Sequence, residues 1–447
     1  MIPPIKSLVS AAPLKSQANP CRFCGEALRH TFVDLGMSPL CESYLTASQL
    51  NSMEPFYPLH VFVCSKCFLV QLQQYVSAES IFSEYAYFSS FSDSWLAHAK
   101  AYTEKMVNRF GLDSGSRVIE LASNDGYLLQ YFVEKKIPVL GIEPAANVAQ
   151  VAESKGVRTL VKFFGRATAN ELSTTGQQAD LLLGNNVLAQ VPDLNDFVAG
   201  MKIILKPAGI LTLEFPHLLQ LMNQNQFDTI YHEHFSYFSL FTVDKVLRHH
   251  GLKLFDVEAL DTHGGSLRIY ACHAESDRYA VSPSVARLLA TEKKEGLTQI
   301  KTYSSFAEQV KDTKRKLLNC LIKARTAGKR VAAYGAPGKG NTLLNYCGIR
   351  TDFVEFTVDR NPYKQGRFLP GTHIPIFPPE HLAKAKPDYV LILPWNLRKE
   401  IQAQLSYISD WGGAFLIPIP ELKIVRPYRT ARKRNSQHRS RPGDKRR

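Results

Sequence analysis

The sequence predicts an α/β protein built around a doubly wound sheet, and three patterns support that prediction. From about Arg117, short apolar runs alternate with helical segments, which is typical of strand–helix–strand units. The same alternation begins again near Arg330, after a long amphipathic stretch. Two Cys-x-x-Cys pairs precede the first series. We therefore predict a cysteine-bearing module at 20–84, an α/β domain at 85–300, a second α/β domain at 301–425 and a tail at 426–447.

The cysteine-bearing module has the ligands of a metal site. Cys21 and Cys24 form the first pair and Cys64 and Cys67 the second, and each pair suits a tight turn that points both sulfurs to one side. The 39 residues between the pairs exceed a compact zinc ribbon, so a small subdomain should fill the gap. Disulfides are the alternative, but the chain starts without a signal peptide, which favours a reducing compartment. We predict a structural Zn²⁺ on these four thiolates and a buried thiol at Cys41.

Composition and charge restrict the class of protein. The 447 residues are 45% hydrophobic and 21% charged, as in globular proteins, and no apolar run approaches the ~20 residues of a membrane span. We therefore expect a cytoplasmic protein. Of the net charge of +14, +9 lies in residues 426–447, which hold ten Lys or Arg and one Asp; the rest of the chain carries +5. This tail is predicted to be disordered, with nucleic-acid or acidic-lipid contact as the alternative, and no specific nucleic-acid partner is expected.

The elements of the first α/β domain follow in order along the chain. Five runs are predicted as strands: Arg117–Leu121, Pro138–Pro144, Arg158–Phe164, Ala179–Ala189 and Gly209–Pro216. Two intervening segments, Tyr127–Lys136 and Ala145–Gly156, are predicted as helices. Leu252–Leu260 and Gly265–Ala274 should add a hairpin to the same sheet. After the amphipathic stretch from about Ser284 to Lys329, four more strand-bearing segments are predicted: Arg330–Cys347, Phe353–Gly366, Pro387–Asn396 and Gly413–Pro420.

The first strand leads into a turn with binding potential. Ser123, Asn124 and Gly126 lie between a predicted strand and helix, at the edge where doubly wound sheets bind ligands. The turn lacks both Gly-x-Gly-x-x-Gly and the P-loop lysine, which argues against a dinucleotide or triphosphate. Glu143 ends the next strand, where it is placed to accept hydrogen bonds from a ribose diol.

These features resemble class I S-adenosylmethionine-dependent methyltransferases, which have a Rossmann-like fold. The resemblance includes the loop "ELASNDG", the acid at Glu143, an aromatic pair ending in Phe164 and the run "GNNVLAQVPD" with Asn186. It implies S-adenosylmethionine as cofactor, with Glu120 contacting its amino-acid part through the turn or water. Seven residues are thus assigned to the cofactor: Glu120, Ser123, Asn124, Gly126, Glu143, Phe164 and Asn186.

A closer resemblance covers roughly Cys21 to Glu421. With the cysteine pairs, the segments "YHEHFSYFSL", "HGGSLR", "YGAPGKGNTLLNY" and "DRNPYKQGRFLPGTHIPI" resemble three-domain sugar C-methyltransferases acting on nucleotide-linked 4-keto-deoxysugars. That resemblance implies a zinc-binding N-terminal domain, a central methyl-donor domain, and a C-terminal Rossmann-like domain that helps hold the nucleotide sugar. A nucleotide sugar is then the small-molecule partner, and a monomer is compatible with the sequence.

Methylation of carbon needs a base, because the carbon has no lone pair until a proton is removed. An adjacent keto group spreads the resulting charge onto oxygen, where hydrogen-bond donors stabilise it. The stretch Tyr-His-Glu-His offers an imidazole near neutrality and a phenol. By analogy with the family, His234 is assigned as the base, and Tyr231 and Glu233 as residues that position it or the sugar.

Other interpretations of this stretch stay open at this point. His232 and His234 would share one face of an extended segment and could ligate a metal, although the His-Glu-x-x-His spacing of zinc proteases is absent. Both could equally be hydrogen-bonded core residues. At the level of the whole chain, the alternatives are O- or N-methylation of another small metabolite, and a non-enzymatic zinc and nucleotide-binding module.

Further residues are assigned to the substrate. Where many relatives have a histidine before "VPD", this chain has Gln190, which can donate to a keto oxygen but cannot titrate. The segment after the cysteine module offers Tyr87 or Tyr85, with packing as the alternative. The "DTHGGSLR" segment offers His263 and Arg268, with a structural turn as the alternative.

A glycine-rich loop in the second α/β domain completes the set. "YGAPGKGNTLL" joins a predicted strand to a helix, and Asp359 ends the next strand. Lys339 supplies charge and the helix start supplies free amide donors, which suits a phosphate, although the loop is not a Walker A motif. Lys339 and Asn341 are therefore assigned to the nucleotide sugar, with an interdomain packing turn as the alternative.

Overall fold

The computed structural model describes residues 19–82 and 88–427. Tyr85 and Tyr87, two of the predicted substrate residues, lie outside these ranges. The predicted disordered tail lies outside them as well, apart from its first two residues.

The N-terminal part forms a four-stranded antiparallel sheet in the order β1-β2-β3-β9. Along the second strand, buried and partly exposed residues alternate, as the two-residue period of a half-buried strand requires. The fourth strand is contributed from far along the chain, by the segment that follows the Tyr-His-Glu-His stretch. The elements up to the central domain are β1 (His30–Ser38), β2 (Tyr57–Val63), β3 (Val70–Leu72), α1 (Ala78–Phe82) and α2 (Asp93–Phe110).

The central part contains the predicted doubly wound sheet. Its seven strands run in the order β10-β11-β8-β7-β4-β5-β6, with five parallel strands and an antiparallel hairpin at one edge. The elements in chain order are β4 (Val118–Leu121), α3 (Leu129–Glu134), β5 (Val139–Ile142), α4 (Ala146–Ser154), β6 (Thr159–Leu160), α5 (Arg166–Thr174), β7 (Ala179–Asn185), α6 (Leu194–Ile204), β8 (Leu205–Pro216), α7 (Leu218–Asn223), β9 (Ser236–Tyr237), α8 (Leu240–His249), β10 (Leu252–Leu260) and β11 (Ser266–His273).

The third predicted strand of this sheet is much shorter than expected. Only Thr159–Leu160 pairs with β5, and the apolar residues Val161 and Phe163 that prompted the longer assignment are exposed. The strand lies at the sheet edge, where it has one neighbour and little backbone pairing to extend it.

The predicted amphipathic connector consists of three helices: α9 (Pro283–Lys294), α10 (Ile300–Ser304) and α11 (Phe306–Thr326). The first break falls at Gly296, whose φ of 84° is left-handed and ends the α-helical path.

The C-terminal part is the second predicted α/β unit. Its six-stranded sheet has the order β14-β13-β12-β15-β16-β17 and is parallel except for the last strand. The elements are β12 (Val331–Tyr334), α12 (Gly338–Cys347), β13 (Thr357–Val358), β14 (Ile376–Phe377), α13 (His381–Ala385), β15 (Tyr389–Ile392), α14 (Arg398–Gln404), β16 (Ala414–Ile417) and β17 (Lys423–Val425). The fold class predicted from the sequence is thus confirmed.

Apolar packing joins these parts. One continuous cluster of buried residues runs from Phe32 and Val61 of the N-terminal sheet through Phe227 to the C-terminal strands. A second cluster extends from the cysteine pairs to β7 and β8 of the central sheet. Among the described helices, none combines the length and apolar character needed to cross a membrane.

Candidate active site

The four cysteines of the N-terminal module converge. All four Sγ atoms lie within 4.8 Å of one another, with Cys21 and Cys67 3.6 Å apart and Cys24 and Cys64 3.5 Å apart. Four sulfurs at about 2.3 Å from a common tetrahedral centre would have spacings of this size. Within the described ranges, no other cluster of three or more His, Cys, Asp or Glu side chains could hold a metal. The residues therefore fit a structural zinc ion. Four thiolates would fill its coordination sphere and leave no position open for catalysis.

The turn after β4 is compact and strained. Ala122 and Asn124 have φ values of 54° and 49°, a region that non-glycine residues rarely adopt outside special sites. Gly126 is also left-handed, with φ 73°, and a Cβ there would approach Ala152 to 3.1 Å. The left-handed φ and the close approach of Ala152 thus both require glycine at position 126. The turn brings the backbone of Gly126 close to the sheet edge.

Glu143 braces this turn. Its carboxylate accepts the backbone N–H groups of Asn124 and Ala145, both at 2.9 Å. Each oxygen keeps a second lone pair, so the carboxylate can still accept a ligand hydroxyl. Burial raises the pKa of Glu143, and these two amide donors oppose that shift. Burial also raises the pKa of Glu120, moderated by the hydroxyl of Tyr127.

Polar atoms without partners gather beside the turn. Ser123 Oγ, Asp125 Oδ1 and both amide atoms of Asn185 are buried and have no hydrogen-bond partner among the described residues. These residues follow or end β4 and β7, which are neighbouring parallel strands, so their side chains lie at one edge of the sheet. Buried polar groups are normally satisfied, and such a group of orphans indicates a polar ligand. The edge therefore fits a cofactor with hydroxyl, amine and carboxylate groups.

Two predicted cofactor residues lie in different surroundings. Phe164 packs edge-on against Phe197, with ring centroids 5.4 Å apart, so its position already has a packing explanation. Asn186 adopts φ 58°, and its Nδ2 lies 3.2 Å from His263 Nε2. His263 also has a left-handed backbone, at φ 53°. The structure thus brings a predicted cofactor residue and a predicted substrate residue together.

His234 has a defined tautomer. Its Nδ1 lies 2.9 Å from the carbonyl oxygen of Thr229, and because a carbonyl only accepts, Nδ1 carries the proton. Nε2 therefore keeps its lone pair. Burial lowers the pKa of His234 to about 4, and the nearby charge of Lys339 adds to the decrease. The Tyr231 ring lies 4.1 Å from the imidazole, centroid to centroid, and burial keeps the pKa of its phenol well above the usual value.

The two remaining residues of the stretch point to other parts of the molecule. Glu233 accepts a hydrogen bond from Cys41 Sγ at 3.6 Å, and burial raises the pKa of that thiol so that it stays a donor. His232 Nε2 lies 3.2 Å from the carbonyl oxygen of Pro58 in the N-terminal sheet. His232 and His234 thus donate to carbonyls in different elements, and neither belongs to a cluster of three or more metal-ligating side chains among the described residues.

A lysine from the C-terminal part lies near His234. Lys339 Nζ donates to Asn396 Oδ1 at 3.1 Å and lies 5.0 Å from the centre of the Trp395 ring. Trp395 Nε1 in turn donates to Asp228, at 2.7 Å, one residue before the carbonyl that holds His234. Burial is the main cause of the lowered pKa values of His234 and His263, and the charge of Lys339 adds to both decreases, so the three groups share one electrostatic environment.

Gln190 is positioned by a backbone contact. The residue before it, Ala189, accepts the N–H of Phe235 at 2.8 Å, which connects this loop to the histidine-bearing stretch. From the sequence, only the family resemblance connects these two segments.

Arg268 and Asn341 need correction as substrate ligands. Arg268 is buried, its guanidinium pairs with Glu214 at 2.5 Å, and it lies 4.8 Å from the centre of the Tyr102 ring. Asn341 is buried too, and its Nδ2 donates to the carbonyl oxygen of Cys41 at 3.1 Å. Because these donors are committed to protein acceptors, Arg268 holds the central sheet together and Asn341 joins the C-terminal part to the N-terminal module.

Four site residues are not indicated by the sequence. Trp95 lies edge-on to His263 at 5.0 Å, Asp228 and Trp395 form the pair beside Lys339, and Tyr237 lies 6.3 Å from His234 with its hydroxyl buried. Tyr237 could have been identified from its place in the same aromatic stretch. The Asp228–Trp395 pair spans 167 residues, so no local pattern could indicate it.

The doubly wound sheet, the strained turn with orphaned polar atoms and the four-thiolate site define an S-adenosylmethionine-dependent methyltransferase with a structural zinc site. Family models match in the same order: "Putative zinc binding domain" at residues 21–82, "Methyltransferase domain" at 95–257 and "C-methyltransferase C-terminal domain" at 261–420. The chain is also 37% identical to the C-methyltransferase NovU of Streptomyces niveus over 408 residues, 91% of this chain and 96% of NovU. The chain belongs to this C-methyltransferase family, which confirms the predicted family and excludes the non-enzymatic alternative.

Other similarities are confined to part of the chain. A ubiquinone biosynthesis O-methyltransferase of Bartonella bacilliformis is 26% identical over 99 residues, 22% of this chain and 40% of that protein. Among solved structures, the alignment with the magnesium protoporphyrin IX methyltransferase of Synechocystis covers 40% of this chain and 79% of that enzyme. The sequence identity is 14% and the TM-score is 0.31.

Proposed function

We propose that this C-methyltransferase acts on a nucleotide-linked 4-keto-deoxysugar, by removing a proton next to the ketone and methylating the resulting enolate carbon. The hydrogen bond from His234 Nδ1 to the Thr229 carbonyl is the observation that carries the proposal. It leaves Nε2 as a lone-pair acceptor, which is what proton abstraction from carbon requires. An O-methyltransferase has less need of such a base, because oxygen already carries lone pairs.

The groups around His234 suit an enolate. Tyr231 keeps its phenolic proton because burial raises its pKa, so it can donate to the developing oxyanion. Gln190, on the loop bonded to Phe235, offers a neutral amide donor in the same region. Lys339 adds positive charge near His234, which favours the developing anion on the keto oxygen. In this arrangement the proton moves from the sugar carbon to His234 Nε2, and the electron pair moves onto the keto oxygen.

The cofactor is assigned to the edge of the central sheet. Ser123, Asn124, Gly126 and Glu143 would form its cradle, with Glu120 below the turn. Bound there, S-adenosylmethionine supplies an electrophilic methyl group on a positively charged sulfur. The buried orphans Ser123 Oγ and the Asn185 amide support this placement because a polar ligand would satisfy them.

The nucleotide part is assigned to the cleft facing the C-terminal glycine loop. The start of α12 offers backbone donors beside Lys339, and His263 faces the same region. Asp359 shapes this loop, because its carboxylate accepts the N–H groups of Ala336 and Asn361, at 2.7 and 2.8 Å.

The test is solvent deuterium exchange at the carbon next to the ketone, with a panel of 4-keto nucleotide sugars. We expect His234→Gln to lower both exchange and methyl transfer by about 100-fold or more while S-adenosylmethionine affinity stays unchanged. His30→Gln, on an exposed position of β1, is the matched control and should behave as wild type. Full exchange and methylation by His234→Gln would refute the base assignment, and a wild-type enzyme inactive on the whole panel would refute the substrate class.

A further inference from the structure

The histidine-bearing stretch is held by the zinc module rather than by the central domain alone. Directly after His234, Ser236 and Tyr237 form β9, which pairs with β3 of the N-terminal sheet. The preceding residue, Phe235, also contributes its carbonyl oxygen to the N–H of Leu72 at 3.0 Å. The residues that follow the proposed base thus form an edge strand of the zinc-bearing sheet.

One residue of β3 connects this strand to the metal site. Gln71 is fully buried, and its Nε2 donates to Cys21 Sγ at 3.1 Å while its Oε1 accepts the N–H of Arg22 at 2.9 Å. Its backbone lies opposite Ser236, two residues from His234. A donor to a metal-bound sulfur orients that ligand, so Gln71 relates the position of the thiolate to that of the strand.

Arg22, inside the first Cys-x-x-Cys pair, makes a second connection. Its Nη1 donates to the carbonyl oxygen of Pro192 at 2.8 Å, and its Nη2 donates to the carbonyl oxygen of Leu72. The guanidinium lies 5.4 Å from the centre of the Phe235 ring. A single side chain thus contacts the Gln190 loop, the β3 strand and the residue next to His234.

The knuckle that carries Arg22 is itself fixed on the central domain. Asn195, at the start of α6, donates to the carbonyl oxygens of Arg22 and Phe23 at 3.2 and 3.0 Å. Thr242 of α8 donates to the carbonyl oxygen of Cys67 at 3.3 Å. Both cysteine pairs are therefore seated on helices of the central domain, which gives Arg22 a rigid base.

We propose that Arg22 and Gln71 are positioning residues of the methyl-transfer reaction, through which the zinc module sets the separation between the Gln190 loop and His234. Only the predicted effect on kcat rests on the proposed function; the predicted effect on backbone hydrogen exchange does not. The physical reason is that a base and an oxyanion donor on separate segments must keep one geometry, and a displacement of about 1 Å can cost about 100-fold in rate.

The test compares Arg22→Gln with Arg29→Gln, an exposed arginine of the same module. Both variants are prepared as zinc-loaded full-length protein, and zinc content, S-adenosylmethionine affinity and backbone hydrogen exchange are measured. We expect Arg22→Gln to keep its zinc and its cofactor affinity, and to show faster amide exchange in 189–193 and 233–238 but not in 118–129. Its kcat should fall about 100-fold with KM for S-adenosylmethionine unchanged, and Arg22→Lys should recover part of the loss.

Unchanged exchange in both segments, or an unchanged kcat in an active enzyme, would overturn the proposal. If Arg22→Gln also loses hydrogen-exchange protection across the central sheet, the substitution has destabilised the fold as a whole. Gln71→Met, which keeps the side-chain length without the amide, is then judged by the same criteria. The exchange measurement needs no substrate. An enzyme inactive on every 4-keto sugar would therefore contradict the proposed function. The hydrogen-exchange result would still decide whether Arg22 positions the segment.

Discussion

At the scale of single residues, burial determines the protonation states around the proposed base. It lowers the pKa of His234 to about 4 from an ordinary value near 6.5, and it raises the pKa of Tyr231. Lys339 acts in the same direction on His234 through its charge. At neutral pH the site therefore combines an unprotonated imidazole with a protonated phenol, which is the combination that enolate formation requires.

This electrostatic arrangement predicts the acid limb of the pH profile. The deuterium-exchange rate should rise as pH increases through about 4, because the neutral imidazole is the active form, and should be flat near neutrality for this group. Lys339→Met should move the limb to higher pH, since removing the positive charge makes protonation of His234 easier. Lys384→Met, at an exposed site on α13, is the control. An unshifted limb in Lys339→Met would contradict the electrostatic role of Lys339.

The same shift contributes to stability, with a definite sign. An unfolded histidine protonates near 6.5 and the folded one near 4, so the unfolded state binds the proton first as pH falls. The stabilisation from the neutral buried imidazole is therefore present above pH 6.5 and is lost between about 6.5 and 4.

Arg268 gives a second prediction at this scale. Its partner Glu214 is buried and also contacts His98 Nε2 at 2.8 Å. Arg268→Met should lower the free energy of unfolding by about 3–5 kcal/mol, because it leaves Glu214 buried without its principal counter-charge. Urea denaturation measures the change. The double variant Arg268→Met/Glu214→Leu should be more stable than Arg268→Met alone, and equal or lower stability would show that the charge pair is not the cause.

At the scale of elements, one buried carboxylate joins the connector to the central domain. Glu292 of α9 accepts the N–H groups of Leu240 and Phe241, at 2.7 and 2.8 Å, at the start of α8. Its Oε1 also lies 2.7 Å from His217 Nε2, next to α7. A carboxylate at a helix N-terminus satisfies amides that lack intrahelical partners, so Glu292 caps α8 and anchors α9 to its first turn.

Glu292→Gln is the test of this connection. We expect a loss of about 1–3 kcal/mol in the free energy of unfolding, because the amide replaces one acceptor oxygen with a donor that faces other donors. Glu295→Gln, exposed on the next turn, is the control and should change little. Equal effects of the two substitutions would show that the buried contacts of Glu292 do not carry the difference.

Sequence patterns predicted elements well where the pattern was local. The apolar runs of β4, β5, β7 and β8 and the Gly126 turn were identifiable because alternation and turn chemistry act over a few residues. The length of β6 was wrong because its exposed edge position is decided by its neighbours. The strand β9 was not predicted at all, since its partner β3 lies more than 160 residues earlier.

At the scale of the whole molecule, most of the net positive charge is concentrated at one end of the sequence. The tail 426–447 carries +9 of the net +14. Counterion release on nucleic-acid binding depends on the number of basic residues. A chain ending at residue 425 should therefore lose most of its nucleic-acid binding at low salt. It should keep its methyl-transfer activity. Gel retardation across a salt series measures the first property and labelled methyl donor the second. Retention that survives the deletion would locate the basic surface in the body of the protein.

The sequence by itself determined the fold class, the four zinc thiolates and the turn at Ser123–Gly126, because each depends on residue types at short spacing. The candidate base at His234 came from the family resemblance, and the tertiary structure decided which residues surround it. It brought Lys339, Asp228 and Trp395 together near His234, gave Arg268 and Asn341 partners within the protein, and placed Arg22 between the zinc site and Phe235. The physical reason is that hydrogen-bond partners and burial depend on strand pairing and packing between segments far apart in the chain, about which local patterns carry no information.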